Sequence, residues 1–306
     1  MNFLYLLEGL RTPFWDSFFS TITHFGSETL FMVIALIFFW CLDKKRGYYL
    51  LFVGFTGVIC TQLLKMSFRI SRPWVLDPDF TIVESARADA TGYSFPSGHT
   101  QCATTLYGGL ARSDRRRWVQ IGSVILLLAV AFSRMYLGVH TPKDVLVSLG
   151  VGTLLVFLFY PLMQKAFKDP KWMYGILGGM SIIALANLLF TLLYCPTLAN
   201  VEADNLNNAV KVAWQLLFVT LAMFIIYPVD QKWIRFETDA VWWAQLIKLI
   251  GGLALVIGVR VLLKSPLNAL FGEGLGSGIR YFIMVLVAGL LWPMVFRFFP
   301  KSKNNN

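Results

Sequence analysis

Two of the three histidines in this chain stand in short motifs whose residue types can break a phosphate ester. Pro96-Ser97-Gly98-His99 is one; Ser133-Arg134 followed by His140 and Asp144 is the other. Ahead of both lie Lys65 and, after six intervening residues, Arg72-Pro73. A phosphate monoester carries up to two negative charges, so cations and N–H donors must surround it. Cleavage also needs an in-line nucleophile and an acid for the departing oxygen.

Each motif supplies part of that set. At Pro96-Ser97-Gly98-His99 the chain turns into a helix, whose first N–H groups and positive dipole end suit an oxyanion. Gly98 permits close backbone approach. Ser97 adds a hydroxyl, and His99 can protonate a leaving oxygen. His140 and Asp144 are four apart and can share a helix face, with Pro142 in the first turn. A carboxylate on one ring nitrogen fixes the tautomer and leaves the other nitrogen to attack. Lys65, Arg72 and Arg134 are the cations for the phosphoryl oxygens.

The elements that must carry these residues are membrane helices. The 306-residue chain is 57% hydrophobic and 14% charged, with a mean hydropathy of +0.62; soluble domains are about 25% charged. The net charge of +10 is dispersed between apolar runs, which excludes a nucleic-acid surface and fits positive-inside topology. Nine apolar runs read as spans, near 25–42, 47–65, 98–112, 117–134, 144–163, 172–195, 211–229, 241–262 and 279–298. The third is short and polar. Residues 1–24 interleave Phe3, Leu7, Phe14 and Trp15 with Glu8, Arg11 and Asp16 and read as an amphipathic interfacial segment; a tenth span is the alternative. Met1–Leu10 shows no basic region or cleavage site of a signal peptide. Residues 299–306 read as a disordered tail.

Loop charge alternates. Lys44-Lys45-Arg46, Arg115-Arg116-Arg117, Lys165/Lys168/Lys171, Lys232/Arg235 and Arg297/Lys301/Lys303 mark the cytoplasmic side. The 72–97 stretch, the turn at His140, the polar 199–208 segment and the Gly-rich 272–278 stretch fall on the other. All three motifs thus share the non-cytoplasmic face of a multi-pass cell-membrane protein. Cys41, Cys60, Cys102 and Cys195 show no metal or disulfide spacing.

The pattern K-x6-RP, PSGH and SR-x5-H-x3-D resembles the type 2 phosphatidic acid phosphatase (PAP2) superfamily, whose soluble cousins are the vanadium haloperoxidases and bacterial acid phosphatases. Lys65, Arg72, Pro73, Pro96, Ser97, Gly98, His99, Ser133, Arg134, His140 and Asp144 match in order. The resemblance implies an all-α polytopic helix bundle with a catalytic core over 25–165. It implies His140 as nucleophile through a phosphohistidine, Asp144 as its orienting partner and His99 as general acid. It implies Lys65, Arg72, Ser97, Gly98 and Arg134 as phosphate ligands, with no metal and no cofactor, and a phosphorylated lipid as substrate.

The loop from Trp74 to Tyr93 joins two motifs; Trp74, Glu84, Arg87 and Tyr93 are its candidates for substrate preference. Residues 166–298 add about four more spans, a layout similar to sphingosine-phosphate and glucose-6-phosphate phosphatases. A lateral lipid entrance, a homodimer surface and a second binding site are the uses open to them. Lys248, inside a span, is a functional candidate by position, as are Arg260 and Lys264 for a lipid headgroup; His24 matches no motif. Isoprenoid pyrophosphates, phosphatidic acid-type lipids and sphingoid-base phosphates all remain open as substrates. So do two rival activities: phosphoryl transfer to a second lipid, and transport by the same core.

Overall fold

The computed structural model describes residues 1–199 and 201–302, which form helices and connecting turns with no strand. Of the expected 299–306 tail, residues 303–306 lie outside the described residues. Helices α1 (Asn2–Glu8) and α2 (Pro13–Thr23) open the chain. Thr12 caps α2 with its hydroxyl, and Pro13 sits in the first turn. α3 (Glu28–Ile37) runs through a π turn to Leu42. α4 (Lys44–Phe68) is followed by the short α5 (Pro73–Leu76). α6 (Gly98–Ala103) and α7 (Gly109–Ser113) are joined by a π turn at Thr104–Gly108. There the Thr104 and Thr105 hydroxyls donate to the carbonyls of Thr100 and Gln101, a back-bonding that bends helices. α8 (Arg117–Tyr136) and α9 (Pro142–Ala166) complete the motif-bearing helices. α10 (Pro170–Leu189), α11 (Ala203–Val229), α12 (Trp242–Leu262), α13 (Lys264–Leu286) and α14 (Trp292–Met294) follow.

Among the described residues, seven helical segments are long and apolar enough to cross a membrane; counting Pro13–Gly26 with Glu28–Leu42, bent by 50°, makes eight. Four of the seven follow α9. The expected span at 25–42 therefore qualifies only together with α2. The one at 98–112 is not among them: it is short, is interrupted by a π turn and buries Thr100, Gln101, Thr104 and Thr105 alongside Ala103, Leu106 and Tyr107.

The described chain divides into two units. The first comprises 1–32, 49–162 and 198–206 and holds all three motifs. In it α2 and α6 both pack on α8. Leu4 joins Phe80, Ile82, Ala86, Ala90, Tyr136, Leu137 and Val139 in a buried cluster. Arg11 donates to Thr81 O at 2.8 Å and Tyr136 O at 3.1 Å. The N-terminal segment is thus docked by its inner face onto the 77–93 loop and the end of α8, while Leu6, Leu10, Phe14 and Trp15 stay exposed.

The second unit comprises 33–48, 163–197 and the chain from 207 on. In it Lys44 pairs with Asp230 at 2.5 Å. Buried Lys248 donates to the carbonyls of Glu237 and Thr238 at 3.3 and 3.0 Å and lies 4.6 Å from the Phe296 ring centre. That satisfies the turn before α12 and accounts for this lysine structurally. The 272–278 stretch, expected as a loop, is instead helical apart from Gly272. Its glycines are packing surfaces: a Cβ on Gly274 or Gly278 would meet Trp214 at 3.1 Å, and on Gly278 also Phe218 at 2.9 Å. Small residues four apart let membrane helices approach this closely. Part of the polar 199–208 stretch is likewise the first turn of α11.

Candidate active site

Arg134 lies in the last turn of α8, and the chain then reverses sharply. Gly138 N–H donates to Met135 O at 3.0 Å and Val139 N–H to Arg134 O at 3.2 Å, a helix-terminating pattern. Gly138 has φ +80°, and a Cβ there would stand 2.6 Å from Arg11 Nη2, so only glycine fits. The reversal delivers His140 just ahead of α9. There Thr141 N–H donates to Asp144 Oδ2 at 2.8 Å and Asp144 N–H donates to Thr141 Oγ1 at 3.4 Å. This reciprocal cap starts the helix and fixes the carboxylate in one act.

Ser97 performs the same service for α6, accepting from Thr100 N–H at 3.3 Å and Thr100 Oγ1 at 3.0 Å. Ser97 N–H also donates to Asp144 O at 3.3 Å, and Ser148 Oγ donates to Ser97 O at 2.9 Å. The two histidine motifs are therefore bolted together through their backbones. Nothing lies within 4 Å of where a Gly98 side chain would be, so the backbone there faces open space.

His140 is buried, as is Asp144. Its Nδ1 is 3.5 Å from Asp144 Oδ2 and 3.4 Å from Ser94 Oγ; Ser94 in turn donates to Asp144 Oδ2 at 2.6 Å. Its Nε2 is 2.9 Å from Arg72 Nη1. A guanidinium can only donate, so Nε2 keeps its lone pair and the ring proton sits on Nδ1, toward the carboxylate. Burial first, and then Arg72, Arg134, Lys65 and His99, push the His140 imidazole well below its ordinary pKa. It is held neutral, with the Nε2 electron pair accepting from Arg72.

The three cations differ in occupation. Arg72 donates to Gly92 O at 3.0 Å, Thr91 O at 2.7 Å and Val139 O at 3.0 Å as well as meeting His140. It is the tie between two loops, and four of its five N–H donors are engaged. Lys65 Nζ donates to Tyr93 O. Arg134 is wholly buried and gives Nη1 to Thr23 Oγ1 at 2.7 Å, while its Nε and Nη2 carry no partner. His99 Nε2 is buried and unpartnered as well. Buried polar groups are normally paired. Orphaned guanidinium nitrogens beside an orphaned imidazole nitrogen mark a place for an anion.

Of the loop candidates, Trp74 has two guanidinium groups near its ring, Arg72 at 5.9 Å and Arg87 at 5.3 Å. Exposed Arg87 pairs with Glu84 at 2.7 Å. Tyr93 is different: it is buried, its carbonyl holds Lys65 and its hydroxyl accepts Glu202 N–H at 3.2 Å. A cleft of about 590 Å³ opens beside this strand of contacts, lined by Phe68, Arg69, Ser71, Leu76 and Glu202 among others. His24 stands exposed, 4.0 Å from Asp89. Sequence reasoning missed Ser94, Thr23 and Ser148. Ser94 had a signal, a hydroxyl two residues before the Pro96 motif; Thr23 had none. Among the described residues, no group of three or more His, Cys, Asp or Glu is placed to hold a metal ion.

Comparison with known proteins follows the same division. Residues 46–168 match the model of the PAP2 superfamily, and residues 219–304 match that of the PAP2 superfamily phosphatase transmembrane extension. Phosphatidylglycerophosphatase B of Bacillus subtilis (strain 168) is 29% identical over 171 residues, covering 51% of this chain and 79% of that protein. Undecaprenyl-diphosphatase BcrC of the same organism is 32% identical over 148 residues, 47% of this chain and 73% of that protein. Human glucose-6-phosphatase 3 is 28% identical over 217 residues, 67% of this chain and 56% of that protein. No solved structure matches the chain significantly. With its motifs folded into one buried site, the chain belongs to the PAP2 superfamily and is a multi-pass membrane phosphatase bearing that family's transmembrane extension.

Proposed function

We propose that this protein hydrolyses a phosphate monoester or pyrophosphate of a membrane lipid at the non-cytoplasmic face, through a phosphohistidine at His140. The observation that carries this reading is the His140 ring. Its Nδ1 faces Asp144, its unprotonated Nε2 accepts from Arg72, and unpartnered Arg134 nitrogens are buried in the same unit. The names of the bacterial relatives, a phosphatidylglycerophosphatase and an undecaprenyl-diphosphatase, support a lipid substrate. Loop charge supports the side of the membrane.

In the first step Nε2 attacks phosphorus, an N–P bond forms and the P–O bond to the lipid breaks. His99 gives its proton to the departing oxygen. The substrate's negative charge, arriving among Lys65, Arg72 and Arg134, favours the protonated His99 that this requires. Asp144 stabilises the cationic ring that results. In the second step water attacks phosphorus, His99 takes its proton, the N–P bond breaks and phosphate leaves. Arg134 and the Gly98 backbone hold the phosphoryl oxygens, while Arg72 positions His140 and yields donors to phosphate as Nε2 is engaged. Trp74, Glu84 and Arg87 form the rim that meets the lipid headgroup.

The test is phosphate release by the purified protein in detergent with EDTA, over isoprenoid, glycerolipid and sphingoid phosphates. His140→Ala and His99→Ala are each expected to lose at least about 10³-fold in kcat. Full activity in either variant overturns the mechanism. Retained activity toward water-soluble phosphates alone overturns the lipid assignment.

A further inference from the structure

A second orphaned guanidinium lies far along the chain from these motifs. Arg280 is 5% exposed. Its Nη2 donates to Ser277 Oγ at 3.1 Å, and Gln215 Nε2 donates to the same oxygen at 2.6 Å. Arg280 Nε and Nη1 are buried with no partner. No carboxylate pairs with it among the described residues. The cluster joins α11 and α13, which meet closely at Gly274 and Gly278.

A charged side chain inside a membrane helix is costly and is normally turned toward a partner or a ligand. Arg280 has neither in full. Its surroundings supply donors in excess: a guanidinium and a carboxamide both lean on one hydroxyl. What is missing is an acceptor with several oxygens and negative charge, and a phosphate meets both needs through bidentate contact with Arg. Depth agrees. Arg280 is seven residues past Glu273, about 10 Å along the helix. Its side chain leans back toward Ser277, that is, toward the α13 start. The Lys264–Phe271 arm of α13 joins the rest through Gly272, whose φ of 76° and ψ of 169° break the helix. This hinge is the element that can yield to admit a ligand. Asn268, on that arm, presents a further unpartnered oxygen and makes no bond to Arg280.

We infer that Arg280, Ser277 and Gln215 form a phosphate-binding site in the second half of the protein, separate from the catalytic motifs. The phosphate comes from an anionic phospholipid headgroup or from free inorganic phosphate. The full-length protein in detergent is titrated with phosphatidylglycerol, phosphatidylcholine or inorganic phosphate while its thermal midpoint is followed, for the wild type and for Arg280→Gln. Ligands that prefer the folded state raise that midpoint. The catalytic site contributes equally to both proteins, so the difference between them reports Arg280. The half-saturation for phosphatidylglycerol is expected to rise at least about tenfold in Arg280→Gln, with no response to phosphatidylcholine in either protein. The same Arg280-dependent shift with inorganic phosphate alone assigns the site to the free anion. Equal half-saturation in both proteins for both anionic probes overturns the inference. Phosphatase activity reports that Arg280→Gln is folded. If it is not, Arg280→Lys and Ser277→Ala are titrated instead, and half-saturation unchanged in both overturns it equally.

Discussion

Replacing Ser94 by alanine tests how His140, the proposed nucleophile, is held. The Ser94 hydroxyl donates to Asp144 Oδ2 at 2.6 Å, a separation typical of a charge-assisted O–H···O⁻ bond. Such bonds are worth about 1.5–3 kcal/mol. Asp144 retains the Thr141 N–H at 2.8 Å, so the carboxylate is not orphaned and the protein is expected to fold. What is lost is the constraint that keeps Oδ2 aimed at His140 Nδ1. If that constraint matters most as the ring becomes cationic, the loss falls on kcat and corresponds to about 10- to 100-fold. KM should move less than about threefold. Ser94→Thr restores the hydroxyl and should recover most of the rate. Asp144→Asn should cost more, about 10³- to 10⁴-fold, because it disturbs the tautomer. Adding Ser94→Ala to Asp144→Asn should then cost little further, since both act through one bond. Initial rates of phosphate release across a pH series provide the assay. A kcat for Ser94→Ala within about twofold of wild type, or fully multiplicative losses in the double variant, would refute the reasoning.

Thr23→Val removes the acceptor for Arg134 Nη1 and should raise KM about 3- to 10-fold with a smaller change in kcat. Steady-state kinetics on one lipid phosphate decide it. Gly138→Ala places a Cβ at φ +80° against Arg11 and should lower stability by about 1–3 kcal/mol, read as a reduced thermal midpoint in detergent. His140 is held neutral in the folded protein, whereas a histidine in the unfolded chain takes a proton near pH 6.5. Below that pH the unfolded chain binds more protons, so stability falls as pH falls, by at most about 1.4 kcal/mol per pH unit from this group. His140→Asn should flatten that part of a midpoint-against-pH curve; an unchanged slope contradicts it.

The candidate site was readable because its residues stand in short motifs. His140 and Asp144 lie in one stretch, and their geometry follows from a local helix cap. What joins the motifs was not legible. Ser94 meets Asp144 across 50 residues and Thr23 meets Arg134 across 111, and such bonds leave no pattern in neighbouring positions. Arg72 was expected simply as a phosphate ligand; three of its donors go to backbone carbonyls and one to His140, which no residue-type argument reveals. Hydropathy windows placed most spans but misjudged the glycines of α13. A glycine reads as a loop signal whether it bends the chain or lets Trp214 approach it.

The bond between Thr23 and Arg134 also bears on how the protein is made. Helices enter a membrane in order of synthesis, so Thr23 emerges more than a hundred residues before the arginine it will hold. Until α8 arrives, the faces of α1 and α2 that pack on it stay uncovered. The Ser97–Asp144 and Ser148–Ser97 bonds come later still. The site therefore assembles from its edges inward, and its most buried charge enters a cradle whose wall is already in place. A lesion in the first two dozen residues would be felt as a failure of assembly at the centre.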